Sequence, residues 1–425
     1  MMKRFRATLA ALTATTVLVT GGITAAVVEA KPLYDRTKLG SFYYEKQANL
    51  NKMRNGKLVR IREIGNAAIP GARLYQYVFK TTNSHGQARL ASATVARPHT
   101  AIPNANVLVY DDFINSLGVK CQPSFGLDAA NRVVASGFKD FDTSYDGEIA
   151  GRNSVLMGLA NLVGRFGIVM IFPDFLGLKA AYTANILGGH ITLDAIKAAQ
   201  QHDPLMINKS QIILSGYSGG SMVAAYAAAM APRYAPNLNI VGLAAGGMPS
   251  DMEWMGNTLG NNRNPGFGIA IGSMIGMERE YPSRMNIYNR LNKNGRRKIL
   301  MNRNACTPRL LTAFQNESMS TTFNNVVLRE QKRELGVFRD NSIVNYRRAP
   351  RVPTLLWGSR NDVLTPYKYI YKTARKWCKT NRGLKIQLVD TGVPDHVANA
   401  TVGSWFAVPW ILGRFAGLPP TNNTC

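Results

Sequence analysis

Ser218 stands in Gly216-Tyr217-Ser218-Gly219-Gly220, a G-x-S-x-G pattern. Alone the pattern is weak, because a glycine-rich turn with an inert serine gives the same string. Its surroundings strengthen it. "QIILSG" before it is a short apolar run with β-branched residues and predicts a buried strand. "GGSMVAAYAAAMAP" after it is Ala-rich, predicts a helix, and is expected to stop at Pro232. Strand, tight turn and helix form the frame of a nucleophile elbow, where the serine takes a strained backbone and small neighbours avoid a clash.

A serine hydroxyl is a poor nucleophile until a base takes its proton and an acid orients that base. In strand–helix sheets carrying such an elbow the chain order is serine, acid, histidine. Of the five histidines, His85, His99, His190 and His202 precede Ser218, and only His396 follows it. His396 lies in "TGVPDHVANA", after the predicted strand "KIQLVD", where a loop at the carboxyl edge of the sheet is expected. His190, in "LGGHITLDAI", is expected to open a helix and to be structural. The candidate acids are Asp362, Asp390 and Asp395. Asp395 adjoins the histidine and is badly placed to meet its ring. Asp390 ends the strand leading to the histidine. Asp362 follows the strand "PTLLWGS", where the orienting carboxylate belongs, and is preferred.

The tetrahedral intermediate of acyl transfer also needs hydrogen-bond donors for its oxyanion. One is expected from the backbone N–H of Gly219, the residue after the nucleophile. The other is expected from the loop "VYDDFINSLGVKC", which offers Asp111, Asp112 and Asn115.

The elements that must hold these groups are legible as a rhythm. "KLVRIREI", "ARLYQYVFKTT" and "QARLASATVARP" predict successive antiparallel strands. "NVLVYDD" and "GIVMIFPD" predict fully buried strands, and "TLDAIKAAQQ" a helix. The elbow strand and helix follow, then the strand "NIVGLAAGG". Strands alternating with helices imply an α/β fold with a mostly parallel sheet. The rhythm breaks over residues 251–349 and returns with "PTLLWGS", the helix "YKYIYKTARKWCKT", "KIQLVD" and the helix "SWFAVPWILGRFA". This predicts a core formed by residues 31–250 and 350–425, with 251–349 inserted as a cap. Within the insertion, "FGIAIGSMIGM" is read either as a wall of an acyl pocket or as a core helix.

The first thirty residues carry Lys3, Arg4 and Arg6, then an uncharged stretch, then Val28 and Ala30. They read as a secretory leader cleaved after Ala30. The alternative, an uncleaved anchor, is disfavoured by the Thr and Gly content of the stretch. Four cysteines in an exported chain suggest two disulfides with three possible connectivities. No Cys or His spacing predicts a metal site, and no cofactor is expected. The chain has 51 Lys+Arg against 25 Asp+Glu, a net charge of +26. Losing the leader removes three basic residues and one acidic, leaving about +24. Such a charge suits either an anionic surface such as phospholipid or simple solubility. No nucleic-acid motif accompanies it.

The quoted blocks resemble the secretory lipases of the yeast lipase A type, in the α/β-hydrolase superfamily. "FPDFLGLKAAYTANILGGHITLDAIKAAQ", "YAPNLNIVGLAAGGMP", "KCQPS", "WGSRNDVLTP", "GVPDHVANA" and the closing "RFAGLPP" with its terminal Cys425 are all similar to that family's segments. The resemblance spans about residues 50 to 425 and is weakest in the insertion. It implies a secreted hydrolase of acylglycerols or other carboxylic esters, a triacylglycerol lipase or esterase, with Ser218, Asp362 and His396 as its triad. It implies the pairs Cys121–Cys306 and Cys378–Cys425. The family has an aspartate in the oxyanion loop. Laid without gaps from Tyr110 to Cys121, that position falls on Asn115, whose amide donates at any pH, whereas a carboxyl donates only when protonated. The resemblance closes at Cys425, so the tail that helps cover the yeast enzyme's site is not expected here. A peptidase or polyester hydrolase would share sheet and triad, and a non-catalytic lipid-binding protein would share the fold. The expected partners are a lipid or small ester and an anionic lipid interface, with the chain a monomer.

Overall fold

Among the described residues nine strands form one sheet in the order β1-β2-β3-β5-β4-β6-β7-β8-β9. The computed structural model describes residues 40–44, 47–137, 158–161, 164–420 and 424–425. The expected leader, with its cleavage point after Ala30, lies outside the described residues. Strands β1 (Leu58–Ile64), β2 (Ala72–Thr82) and β3 (Ala88–Pro98) pair antiparallel, and β3 joins β5 (Val169–Pro173) antiparallel. From β5 onward, β4 (Val107–Asp111), β6 (Ile212–Tyr217), β7 (Ile240–Gly246), β8 (Thr354–Gly358) and β9 (Ile386–Asp390) run parallel.

The central strands are contiguous apolar runs because helices cover both faces. Side chains alternate between two cores. Val107, Val109, Ile171, Ile212 and Leu214 point into one, and Leu108, Met170 and Ile213 into the other. The second core is closed by α1 (Pro123–Ala135), through Leu127, and by the final helix, through Trp410 and Ile411. The first takes α2 (Asn185–Ala199) and α3 (Gly219–Tyr234). Pro232 does not stop α3, which runs on to Tyr234. Its ring removes one hydrogen bond, to the carbonyl of Ala228, in the last turn of the helix, where the loss is tolerated.

Between β7 and β8 the described residues form helices and no strand. The principal ones are α4 (Met252–Asn261), α5 (Phe267–Glu280), α6 (Lys293–Asn302), α7 (Thr307–Ala313) and α8 (Lys332–Asp340). The insertion shares the first core with the sheet, through Met252, Phe267, Ile271, Met274 and Phe338. Leu33–Cys425 accordingly forms one compact unit. After β8 come α9 (Tyr367–Thr380) and, past β9, α10 (His396–Phe415).

Both cysteine pairs implied by the resemblance are bonded. Cys121–Cys306 ties the loop after β4 to the insertion, with Cα atoms 5.6 Å apart. Cys378–Cys425 ties α9 to the chain end at 5.2 Å.

Candidate active site

Ser218 sits between β6 and α3 with φ 50° and ψ −123°. A non-glycine residue is forced into this region only by its surroundings. Here they are crowded. A Cβ on Gly216 would lie 2.6 Å from the carbonyl carbon of Gly220, and one on Gly220 would overlap the Asp111 carbonyl. Two of the glycines flanking Ser218 are thus demanded by the close approach of β6, α3 and the end of β4. The N–H of Gly219 belongs to the first turn of α3, where amides have no carbonyl partner within the helix.

His396 is brought to this turn from the far end of the sheet. Its Nε2 lies 2.9 Å from Ser218 Oγ, and its Nδ1 lies 2.7 Å from Asp362 Oδ2. The sequence places His396 in a loop; it is instead the first residue of α10. Asp395 makes this possible by capping the helix, its Oδ1 accepting from the N–H of Ala398 at 2.6 Å. That role also removes Asp395 from contention as the orienting acid. Asp390 is engaged elsewhere, in an ion pair with Arg360 at 2.9 Å.

Asp362 is almost fully buried, at 2% exposure. Burial works to raise its pKa, but the hydrogen bond and charge of His396 and the donors of Thr365 outweigh it and hold the carboxyl below its ordinary value. The N–H groups of Leu364 and Thr365 reach Oδ1 at 2.9 and 3.0 Å, and the Thr365 hydroxyl reaches Oδ2 at 2.7 Å. The acid is therefore poised as a carboxylate. A second support comes from Tyr217, whose hydroxyl donates to the backbone carbonyl of His396 at 2.5 Å. Sequence reading missed both residues. Tyr217 occupies a free position of the G-x-S-x-G pattern, and Thr365 could have been found only as the residue that follows an Asx turn begun by Asp362.

In the loop after β4 the three candidate oxyanion donors separate. Asp111 and Asp112 are wholly buried. Asp111 accepts from the Thr192 hydroxyl at 2.8 Å, and burial pushes its pKa well above the usual carboxylate range. Asp112 accepts from the N–H of Phe113. Asn115 alone of the three lines the cleft with Ser218. Its Oδ1 would stand 3.1 Å from a Cβ at Gly219, so the amide is a direct neighbour of the elbow.

The cleft beside Ser218 is narrow, with a cavity volume of about 20 Å³. Met222 of α3, Met255 and Leu259 of α4 and Ile269 of α5 give it apolar walls. Helix α5 does both things expected of "FGIAIGSMIGM". Ile269, Ala270 and Ser273 face the cleft, while Ile271, Met274 and Ile275 fill the core. His190 is structural. It lies in the second turn of α2, stacks on Tyr234 at 4.5 Å, and burial lowers its pKa to about 4. Among the described residues no group of three or more His, Cys, Asp or Glu could hold a metal ion.

Residues 156–423 match the secretory lipase family. Lipase A of Moesziomyces aphidis is 25% identical over 89% of this chain and 80% of its own length. A secreted triacylglycerol lipase of Malassezia furfur is 25% identical over 88% and 75%. The crystal structure of Candida antarctica lipase A superposes with a TM-score of 0.78 at 23% identity, covering 90% of this chain and 87% of that one. A rice cell wall degrading esterase of Xanthomonas oryzae superposes at 0.63, with 19% identity and coverage of 85% and 98%. A sheet whose carboxyl edge holds a strained serine against a histidine and a buried aspartate is the α/β-hydrolase fold, and this chain, a carboxylic ester hydrolase, belongs to the secretory lipase family.

Proposed function

We propose that the chain is exported through its leader and hydrolyses triacylglycerols or related carboxylic esters through an acyl-enzyme on Ser218. The observation that carries this reading is the unbroken hydrogen-bond chain Ser218 Oγ–His396 Nε2 and His396 Nδ1–Asp362 Oδ2, opening beside an apolar cleft. Ser218 Oγ attacks the ester carbonyl and His396 takes its proton. Asp362 orients the imidazole and stabilises its cation. Gly219 N–H and the Asn115 amide meet the oxyanion. His396 then protonates the leaving alcohol, water attacks the acyl-enzyme with His396 again as base, and the fatty acid leaves. The steps consume only ester and water.

Residues 251–349 act as the cap. They supply most of the apolar walls and so set which acyl chains fit. The excess of positive charge draws the protein to anionic lipid surfaces. Val363 and Val397, each adjoining a triad residue, are 84% and 73% exposed, and they place apolar groups near the mouth. A peptidase would need polar partners for a substrate backbone, whereas the cleft walls are mainly apolar.

A fluorophosphonate probe should label Ser218, and p-nitrophenyl esters of increasing chain length should be cleaved while peptide anilides are not. Labelling without ester turnover, or preference for the anilides, would overturn the reading.

A further inference from the structure

The Asn115 side chain is held by one buried hydroxyl. Tyr182 is 4% exposed, and its O–H donates to Asn115 Oδ1 at 2.8 Å. The Asn115 N–H₂ has no protein partner among the described residues and is not sealed off, since Asn115 lines the cleft. An amide is nearly symmetric in shape, and turning it over would exchange a donor for an acceptor at the same place. In the structure the Tyr182 hydroxyl donates to the oxygen end. The other end then presents N–H.

The two residues stand on separate loops, and both loops are fastened to α5. Arg279, 5% exposed, donates to the carbonyl of Leu117 at 2.7 Å, on the Asn115 loop. It also donates to those of Lys179 and Ala180 at 2.8 and 2.9 Å, on the Tyr182 loop. The backbone of α5 rests directly on Tyr182, because a Cβ at Gly276 would lie 2.5 Å from the Tyr182 backbone nitrogen and oxygen. The N–H of Leu117 is bound by the carbonyl of Ala305, next to the Cys121–Cys306 bond.

We propose that Tyr182 is a positioning residue for the reaction. Its hydroxyl fixes the Asn115 amide with N–H₂ toward the oxyanion, and the helical insertion, through Arg279, holds the two residues in register. This rests on Asn115 being the side-chain oxyanion donor. The insertion is then more than a cover over the acyl chain, since it completes half of the oxyanion hole.

The test is a double-mutant cycle on soluble p-nitrophenyl butyrate. Asn115→Ala should lower kcat by about 10²–10³ with KM little changed. Tyr182→Phe should lower kcat about tenfold, again with KM unchanged, which is the scale of one lost hydrogen bond. In the Asn115→Ala background Tyr182→Phe should add less than about twofold, because nothing remains to position. Butylboronic acid, whose adduct with Ser218 places an oxygen in the hole, should bind Tyr182→Phe about tenfold more weakly. A purely structural lesion would not select for that adduct. Tyr182→Met, which keeps bulk without a donor, carries the same expectation should the Phe variant fail to fold. If Asn115→Ala leaves kcat within about threefold, the donor assignment itself falls, and this inference with it. If Asn115→Ala is damaging but Tyr182→Phe is silent, or its loss persists undiminished in the Asn115→Ala background, Tyr182 does not act through Asn115.

Discussion

At the scale of single residues, the histidine and the aspartate have separable duties. In the proposed mechanism His396 carries the proton, so His396→Ala should nearly abolish ester hydrolysis. In that mechanism Asp362 does not react; it selects the tautomer with a proton on Nδ1 and balances the cation. Asp362→Asn should therefore keep the geometry yet cost about 10⁴ in kcat. Steady-state kinetics on a soluble ester, with circular dichroism as a check on folding, reads both. More than a few per cent of activity in folded His396→Ala would displace the histidine from its role. The hydrogen-bonded grouping of Ser218, His396 and Asp362 was legible in the sequence through elimination, since one histidine follows Ser218 and the acids are few. Thr365, Tyr217 and Tyr182 were not. Each acts through a hydrogen bond set by three-dimensional placement, and a hydroxyl in a sequence carries no mark of what it will touch.

At the scale of elements, the parallel strands were legible because a strand buried on both faces must be continuously apolar. Most helices inside the insertion were not, because they share the sheet's core and bury several faces at once, which blurs any single period. The disulfides bear on it directly. Replacing either pair by serines should destabilise the fold by about 2–5 kcal/mol. The consequences for turnover should differ. Cys121–Cys306 joins the Asn115 loop to the insertion, so its loss should also lower kcat, while loss of Cys378–Cys425, which joins α9 to the chain end, should not. Equal kcat losses from the two, after allowing for the folded fraction, would contradict the coupling of insertion and oxyanion loop.

Helix α5 carries a second, pH-dependent element. Burial raises the pKa of Glu278 to about 7, against the lowering effects of the Tyr288 and Ile287 N–H groups and the Arg290 charge. A carboxyl with a raised folded-state pKa favours folding most when it is protonated. That contribution is complete below the unfolded pKa, declines above it, and is gone once pH passes through about 7. Glu278→Gln should thus gain on the parent as pH rises from about 5 to about 8, by roughly 1–2 kcal/mol. Denaturant midpoints of the two proteins across that range measure it. A constant difference would show that Glu278 does not titrate near neutrality.

At the scale of the whole molecule, the net charge of +26 is uneven in its consequences because part of it lies near the site. Helix α9 begins two residues after Thr365, which holds Asp362, and Lys368, Lys372, Arg375 and Lys379 are exposed along it at intervals of three and four residues. That spacing puts four cations on one helical face. A water-insoluble ester is met at a surface, and hydrolysis makes that surface more anionic as fatty acid accumulates, so the proposed attraction should grow as the reaction proceeds. Exposed charges act over about 8–10 Å at physiological ionic strength and are screened by salt. Binding to phosphatidylglycerol-containing vesicles, read by co-sedimentation, should therefore fall steeply between about 50 mM and about 500 mM sodium chloride. Replacing the four α9 cations by glutamine should weaken it, while kcat on a soluble ester stays unchanged. Pure phosphatidylcholine vesicles should retain far less protein. Equal binding to both vesicle types, insensitive to salt, would mean that the charge serves solubility, and that Val363, Val397 and their apolar neighbours alone bring the cleft to lipid.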